Sequence, residues 1–281
     1  MHPTPMTPDQ GELLYTGPSE RGWHRIESML RCPRLYALRH IEGLEFQTSR
    51  PLVSGTLIHL ALAHHYKRLQ CRQQGTDPDV WKHPEHAVVA LAEKNAAQTK
   101  LWGEVFPNIA AAYYQYRQNW SAEKWKVLEV EEEMRARLGP EKFLYTQRPD
   151  LVVEDEHERV WIVDHKSTYR IGSKTLRQHI LDGQFLGYQM FGRAKYGERF
   201  AGVIVNRIKL TSPYDFDRRA LEPAPAALKN FTDTVINAER LIQKYGKDNK
   251  ISDFPMALNN QTCFGKYGQC SAFEQCQFGL R

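Results

Sequence analysis

One run constrains the fold of this chain more than any other: QRPDLVVEDEHERVWIVDHKST, residues 147–168. Val160 to Lys166 is dense in β-branched and aromatic side chains, which predicts a strand. The preceding stretch, Phe143 to Val153, also reads as extended. Between them EDEHER offers no apolar residue and suits a turn centred near His157. Side chains alternate along a strand, so Val160, Ile162, Asp164 and Lys166 share a face. A hairpin about that turn sets Asp150 opposite Asp164. Opposed residues on paired strands lie about 4.5–5.5 Å apart at Cβ. Two carboxylates that close repel unless a cation lies between them, and Mg2+ and Mn2+ are hard ions that choose carboxylate oxygens. The competing reading is a solvated hairpin with a weak ion pair. Pro149 favours that reading, because it donates no ladder hydrogen bond within a central strand.

At 281 residues the chain can bury a large core. Apolar and charged contents of 41% and 25% are ordinary for a soluble globular protein. A formal net charge of +5 admits a polyanionic partner without requiring one. No run approaches the roughly 18 apolar residues of a membrane span. Residues 1–20 lack a signal-peptide layout and predict an extended or disordered lead-in to a single domain over 21–281. The expectation is a cytoplasmic protein with reduced thiols.

The cysteines then need another account. Cys263, Cys270 and Cys276 fall in CFGKYGQCSAFEQC, within a segment (262–277) too poor in large aliphatics to build its own core. Thiolates on a metal or cluster would fold it. Cys32, just ahead of Pro33, is the candidate fourth ligand, so this segment is expected to pack with the Cys32 region. The alternative is unligated thiols. The spacings match neither zinc-ribbon pairs nor the ferredoxin run, and they leave iron–sulfur against zinc open. Cys71 reads as a free buried thiol.

Periodicity predicts a short helix within Gly22–Leu44, a mostly buried helix over Val53–Arg72 capped by Ser54, and helices over Pro84–Lys100 and Val105–Trp120. A strand over Trp125–Leu138 precedes the hairpin. A helix over Lys174–Tyr196, a strand over Ala201–Leu210 and a helix over Pro223–Tyr245 complete the order. That order gives an α/β fold with a central mixed sheet flanked by helices. His59 lies on the early helix and could complete a metal shell with Asp150 and Asp164, whereas His64 and His65 read as core residues. Gln184 and Tyr188, four apart, share a helix face and could hold a nucleotide. Arg170, Lys174 and Arg177 follow the Asp-x-Lys strand and could meet phosphates.

In order, Ser28, Cys32, Pro33 and Tyr36; Gly55, Thr56 and His59; Asp150; Asp164 and Lys166; Gln184 and Tyr188; and Cys263, Cys270 and Cys276 resemble the RecB-type branch of the PD-(D/E)xK nuclease superfamily. The resemblance runs from about residue 28 to 276. It implies a restriction-endonuclease-like core and a metal-dependent DNA nuclease like the stand-alone exonucleases of phages and CRISPR adaptation. It implies Asp150, Asp164, Lys166, Gln184 and Tyr188 as catalytic residues. Mg2+ or Mn2+ would lie on His59, Asp150, Asp164 and the His165 backbone carbonyl. A 4Fe-4S cluster, or else zinc, would lie on Cys32, Cys263, Cys270 and Cys276. Glu131 is the counterpart of an acidic strand residue in relatives. A recombination or helicase partner and a homo-oligomer are compatible with such an enzyme. The alternative is a non-catalytic nucleic-acid-binding or iron–sulfur module of a larger DNA-processing complex.

Overall fold

The computed structural model describes residues 11–44, 49–94, 99–172, 176–222, 225–248, 250–265 and 268–279. In chain order the elements are α1 (Trp23–Arg31), α2 (Pro33–His40), α3 (Arg50–Gln74), α4 (Pro84–Lys94), α5 (Thr99–Asn119), β1 (Lys126–Val130), β2 (Met134–Leu138), β3 (Phe143–Gln147), β4 (Leu151–Glu154), β5 (Val160–Thr168), α6 (Gly183–Tyr196), β6 (Phe200–Lys209), β7 (Asp215–Leu221) and α7 (Pro225–Tyr245). The C-terminal cysteine segment adds short pieces, among them the helices Asn260–Cys263 and Phe273–Phe278. No helix among the described residues is long and apolar enough to cross a membrane.

The chain forms two compact units, each discontinuous in sequence. One comprises residues 1–17, 49–133 and 148–223; the other comprises 18–48, 134–147 and 224–281. The first holds a five-stranded mixed sheet in the order β1-β4-β5-β6-β7. The β5–β6 pair is parallel and the other three pairs are antiparallel. A parallel pair needs a crossover, and α6 supplies it. One sheet face carries Leu151, Val153 and Val163 against Leu57, Ala61 and Tyr66 of α3 and Ala112 and Tyr116 of α5. Helix α6 lies on the other face, with Phe185, Leu186 and Tyr188 buried. This is the mixed sheet between helices that the sequence predicts, with the restriction-endonuclease-like connectivity. In the second unit, β2 and β3 form a two-stranded ribbon, and Cys32, Leu35, Leu38, Phe254 and Ala272 share a core.

Several predicted elements are redrawn. Trp125–Leu138 is two strands in two different sheets, because the chain bulges between Val127 and Glu129 and then turns left-handed at Glu131 (φ 55°). The extended run Phe143–Val153 likewise breaks at Arg148-Pro149-Asp150. Pro149 thus lies between strands, where its missing N–H costs nothing. The early helix begins at Arg50 with Ser49 in the cap position and Pro51 in its first turn; Ser54 is inside it. The expected helix around Cys32 is two helices with Cys32 extended between them (φ −164°), as a residue before proline prefers. The helix predicted over Lys174–Tyr196 is interrupted: residues 176–177 are helical, a turn follows, and α6 starts at Gly183, where the Asp182 carboxylate accepts the Gln184 N–H at 2.9 Å and caps it. Strand β7 had no counterpart in the sequence reading: Asp215–Leu221 (DFDRRAL) is too charged to show a buried face. Expectations for residues 1–10, 95–98 and 173–175 fall outside the described residues.

Candidate active site

The register of the hairpin decides the site. Leu151 pairs with Val163 and Glu154 with Val160, so Asp150, one residue before β4, falls opposite Asp164. The Asp150 carboxylate accepts the His165 N–H at 2.6 Å and stands 3.5 Å from His59 Nδ1. His59 comes from α3, which packs against β1 and β5. Asp164 is 1% exposed. Its Oδ2 lies 2.8 Å from Lys166 Nζ, yet makes no hydrogen bond of good geometry. Its Oδ1 accepts from Gln184 Nε2 at 3.0 Å and Tyr188 OH at 3.3 Å. Gln184 closes the ring: its Oε1 accepts from Lys166 Nζ at 2.9 Å. The i,i+4 spacing does what a shared helix face allows, since Gln184 Nε2 also donates to Tyr188 OH at 2.9 Å.

Glu131 joins this group. Its N–H donates to the Asp150 carbonyl at 3.2 Å. Burial pushes its carboxyl well above the usual range, and the neighbouring carboxylates of Asp150 and Asp164 push it further, against Arg148. Asp164 is raised to about 6 by burial and by Asp150, against the pull of Lys166. Burial would also raise Asp150, but His59, His165 and Lys166 outweigh it and hold Asp150 below its usual range. Burial opposes the charge on His59 and Lys166, yet Asp150 and Asp164 raise both. Three acids thus raise or oppose one another's charge beside an ammonium and an imidazole. Among the described residues, no three His, Cys, Asp or Glu side chains are already gathered as a metal cage.

His165 points to the opposite face from Asp164, toward α3 and α5. Its ring stacks on Tyr66 (5.8 Å, 18°) and meets His59 edge-on at 6.0 Å. Asn206 Nδ2 lies 2.8 Å from both His165 Nδ1 and Tyr116 OH. The Asn206 amide thus bridges the His165 ring and the Tyr116 phenol. Burial lowers His165 to about 3. Beyond Tyr116 the network reaches Tyr66 and Arg218, whose guanidinium pairs with Glu123 and is sandwiched by Trp120 and Trp125 at 3.7 and 4.0 Å. The sequence reading missed this support. Its one signal was Asn206, the lone small amide in the apolar run AGVIVNRIKL.

Other candidates fall as follows. Arg170 and Arg177 are exposed on the segment after β5, and Lys174 lies outside the described residues. His64 is buried and bonded to Leu14 N–H and the Lys82 carbonyl, and His65 bonds Tyr113 OH. In the second unit Cys32, Cys263, Cys270 and Cys276 are all free thiols, and so is Cys71 in α3. Cys270 and Cys276 pack against the core that contains Cys32. Burial raises the Cys276 thiol, and Cys32, Cys270 and Cys263 raise it further, so the four are electrostatic neighbours.

The sequence profile of the PD-(D/E)XK nuclease superfamily matches residues 23–277. The chain belongs to that superfamily. No curated protein matches it. A crystal structure from Eubacterium rectale, provisionally described as an exonuclease, superposes with a TM-score of 0.54 at 12% identity, covering 93% of this chain and 88% of that one. At that identity the likeness speaks for the fold alone. The structure of SSO0001 gives a TM-score of 0.30 at 13% identity over 55% of this chain and 74% of that one, which carries no argument.

Proposed function

We propose that this nuclease is a metal-dependent DNA exonuclease of the RecB-type branch. The observation that carries the reading is the closed ring of Asp164, Lys166, Gln184 and Tyr188 beside Asp150 and His59. Asp164 Oδ2, buried without a hydrogen bond, and the Asp150 carboxylate on the facing residue offer the oxygen donors that a hard divalent cation takes. His59, Asp150 and Asp164 would hold Mg2+ or Mn2+, with the His165 carbonyl as a further oxygen. Such an ion, when bound, polarises a phosphate and lowers the pKa of a water.

The chain's own residues supply the rest. Lys166 keeps its proton because Asp164 and Asp150 outweigh burial, so it can neutralise charge developing on phosphate oxygens. Gln184 bonds Lys166 and Asp164 at once and fixes their separation. Tyr188, buried beside two acids, stays a protonated phenol and a donor. Arg170, Lys174 and Arg177 would hold flanking phosphates, which makes binding salt-dependent. The reading of end-directed digestion draws on the description of the Eubacterium rectale protein. A helicase or recombination partner and self-association fit such an enzyme.

Asp164→Asn and Lys166→Ala should each lower cleavage of DNA by at least about 10²–10³-fold while the protein stays folded. Undiminished cleavage in either variant would overturn the assignment.

We propose a structural thiolate site on Cys32, Cys263, Cys270 and Cys276, an iron–sulfur cluster in this reading and zinc as the alternative, and the packing of Cys270 and Cys276 against the Cys32 core is what favours it. Protein purified without oxygen should carry iron, with visible charge-transfer absorbance that Cys32→Ser and Cys276→Ser remove. Metal-free protein indifferent to both substitutions would refute the site.

A further inference from the structure

Tyr15 is 64% exposed, and a single exposed aromatic ring normally needs no explanation. What marks this ring is how firmly it is held. The segment before it is tied to the loop after α3: Glu12 N–H donates to the Val80 carbonyl at 2.7 Å, and Lys82 N–H donates to the Glu12 carbonyl at 3.1 Å. Leu14 N–H then donates to His64 at 3.0 Å. One face of the ring lies on the Arg148 guanidinium, 4.6 Å from its centroid. The phenol end lies against Gly17, where an added methyl would stand 2.3 Å from the Tyr15 oxygen. Arg148 is itself immobilised, donating to the Gly17 carbonyl at 2.9 Å and pairing with Glu133 at 3.4 Å. Its charge is therefore already answered within the protein, and it serves as a rigid backing.

The position of this backing gives it meaning. Arg148 precedes Pro149-Asp150, and its carbonyl accepts from Tyr188 OH at 3.3 Å. The same phenol lies 3.3 Å from Asp164. The ring thus lies on the side chain of a residue whose backbone bonds Tyr188 and runs into Pro149-Asp150, and most of Tyr15 is exposed. We propose that Tyr15 is a stacking platform for one nucleobase of the substrate strand near the bond that is cut. The inference rests on the nuclease reading and deepens it. An aromatic face accepts any base, so the site would bind single-stranded DNA without reading sequence. Pre-orientation by Arg148 and Gly17 means that little side-chain entropy is lost when the base arrives.

The test is a set of short single-stranded oligonucleotides, each with one abasic nucleotide at a different position, digested with Mn2+ by wild type and Tyr15→Ala. On the intact strand Tyr15→Ala should lower kcat/KM by about 10-fold or more, within what a stacked base contributes. At one position the abasic strand should cost wild type a similar factor, and Tyr15→Ala should add no further loss there. Tyr15→Phe, which keeps the ring, should recover most of what Tyr15→Ala loses, and Tyr15→Leu should not. If wild type cleaves but Tyr15→Ala loses the same factor at every abasic position, the ring only buttresses Arg148 and the stacking assignment falls. If wild type neither binds nor cleaves any strand, the nuclease reading falls and this inference with it.

Discussion

At the scale of single residues, the acids of the site are placed at a cost to the fold. Glu131 is bent into a left-handed conformation (φ 55°), which costs a non-glycine residue energy, and its carboxyl is buried beside two others. Crowding that destabilises an apoprotein is expected where function, not stability, chose the residues. Glu131→Gln removes one of the three charges. A carboxyl whose folded pKa is raised costs stability above its unfolded value near 4.5, and costs nothing where both states are protonated. Glu131→Gln should therefore melt higher than wild type at pH 7, with the gap closing as pH falls below about 4.5. Melting curves across pH check this; an equal or lower melting temperature at pH 7 would show that Glu131 is already satisfied. Asp150, Asp164 and Lys166 were legible in the sequence because period-two alternation and an apolar-free turn fix their facing. Glu131 came from the family resemblance alone, because a left-handed residue leaves no mark on hydrophobic pattern.

At the scale of elements, two helices and two strands jointly hold His165. Tyr116 of α5 is the hub, taking hydrogen bonds from Asn206 of β6 and Arg218 of β7, and meeting Tyr66 of α3. Tyr116→Phe keeps the ring but leaves the buried Asn206 amide and the partly buried Arg218 guanidinium each short of an acceptor. It should destabilise the protein by about 1–3 kcal/mol, read as a lower denaturant midpoint at unchanged slope. A neutral result would mean that water replaces the phenol. Element existence was largely readable: α3, β5, β6 and α7 follow from their periodicity. Boundaries were not, since they turn on the Asp182 cap, the Ser49-Arg50-Pro51 start and the Cys32-Pro33 break, which act locally against longer patterns. Strand β7 escaped because it is polar along most of its length and pairs with β6 alone.

At the scale of the molecule, the mixed sheet and its helices were legible from element order, because a parallel pair needs a crossover helix and both faces need cover. The division into two units was not. Met134–Gln147 interrupts the sheet of the first unit and supplies the β2–β3 ribbon to the second, a long-range exchange that no local signal announces. The candidate site draws every side chain from the first unit, while Cys32, Cys263, Cys270 and Cys276 belong to the second. The candidate site and the four cysteines thus lie in different units, and cysteine substitutions can be scored for stability apart from turnover. The most direct test of the whole account is a time course on end-labelled linear DNA and covalently closed circular DNA, with Mn2+ and with chelator. The account predicts loss of the linear substrate with Mn2+ alone, persistence of the circle, and no digestion by Asp164→Asn. Metal-independent digestion, or an intact linear substrate in the presence of Mn2+, would contradict it.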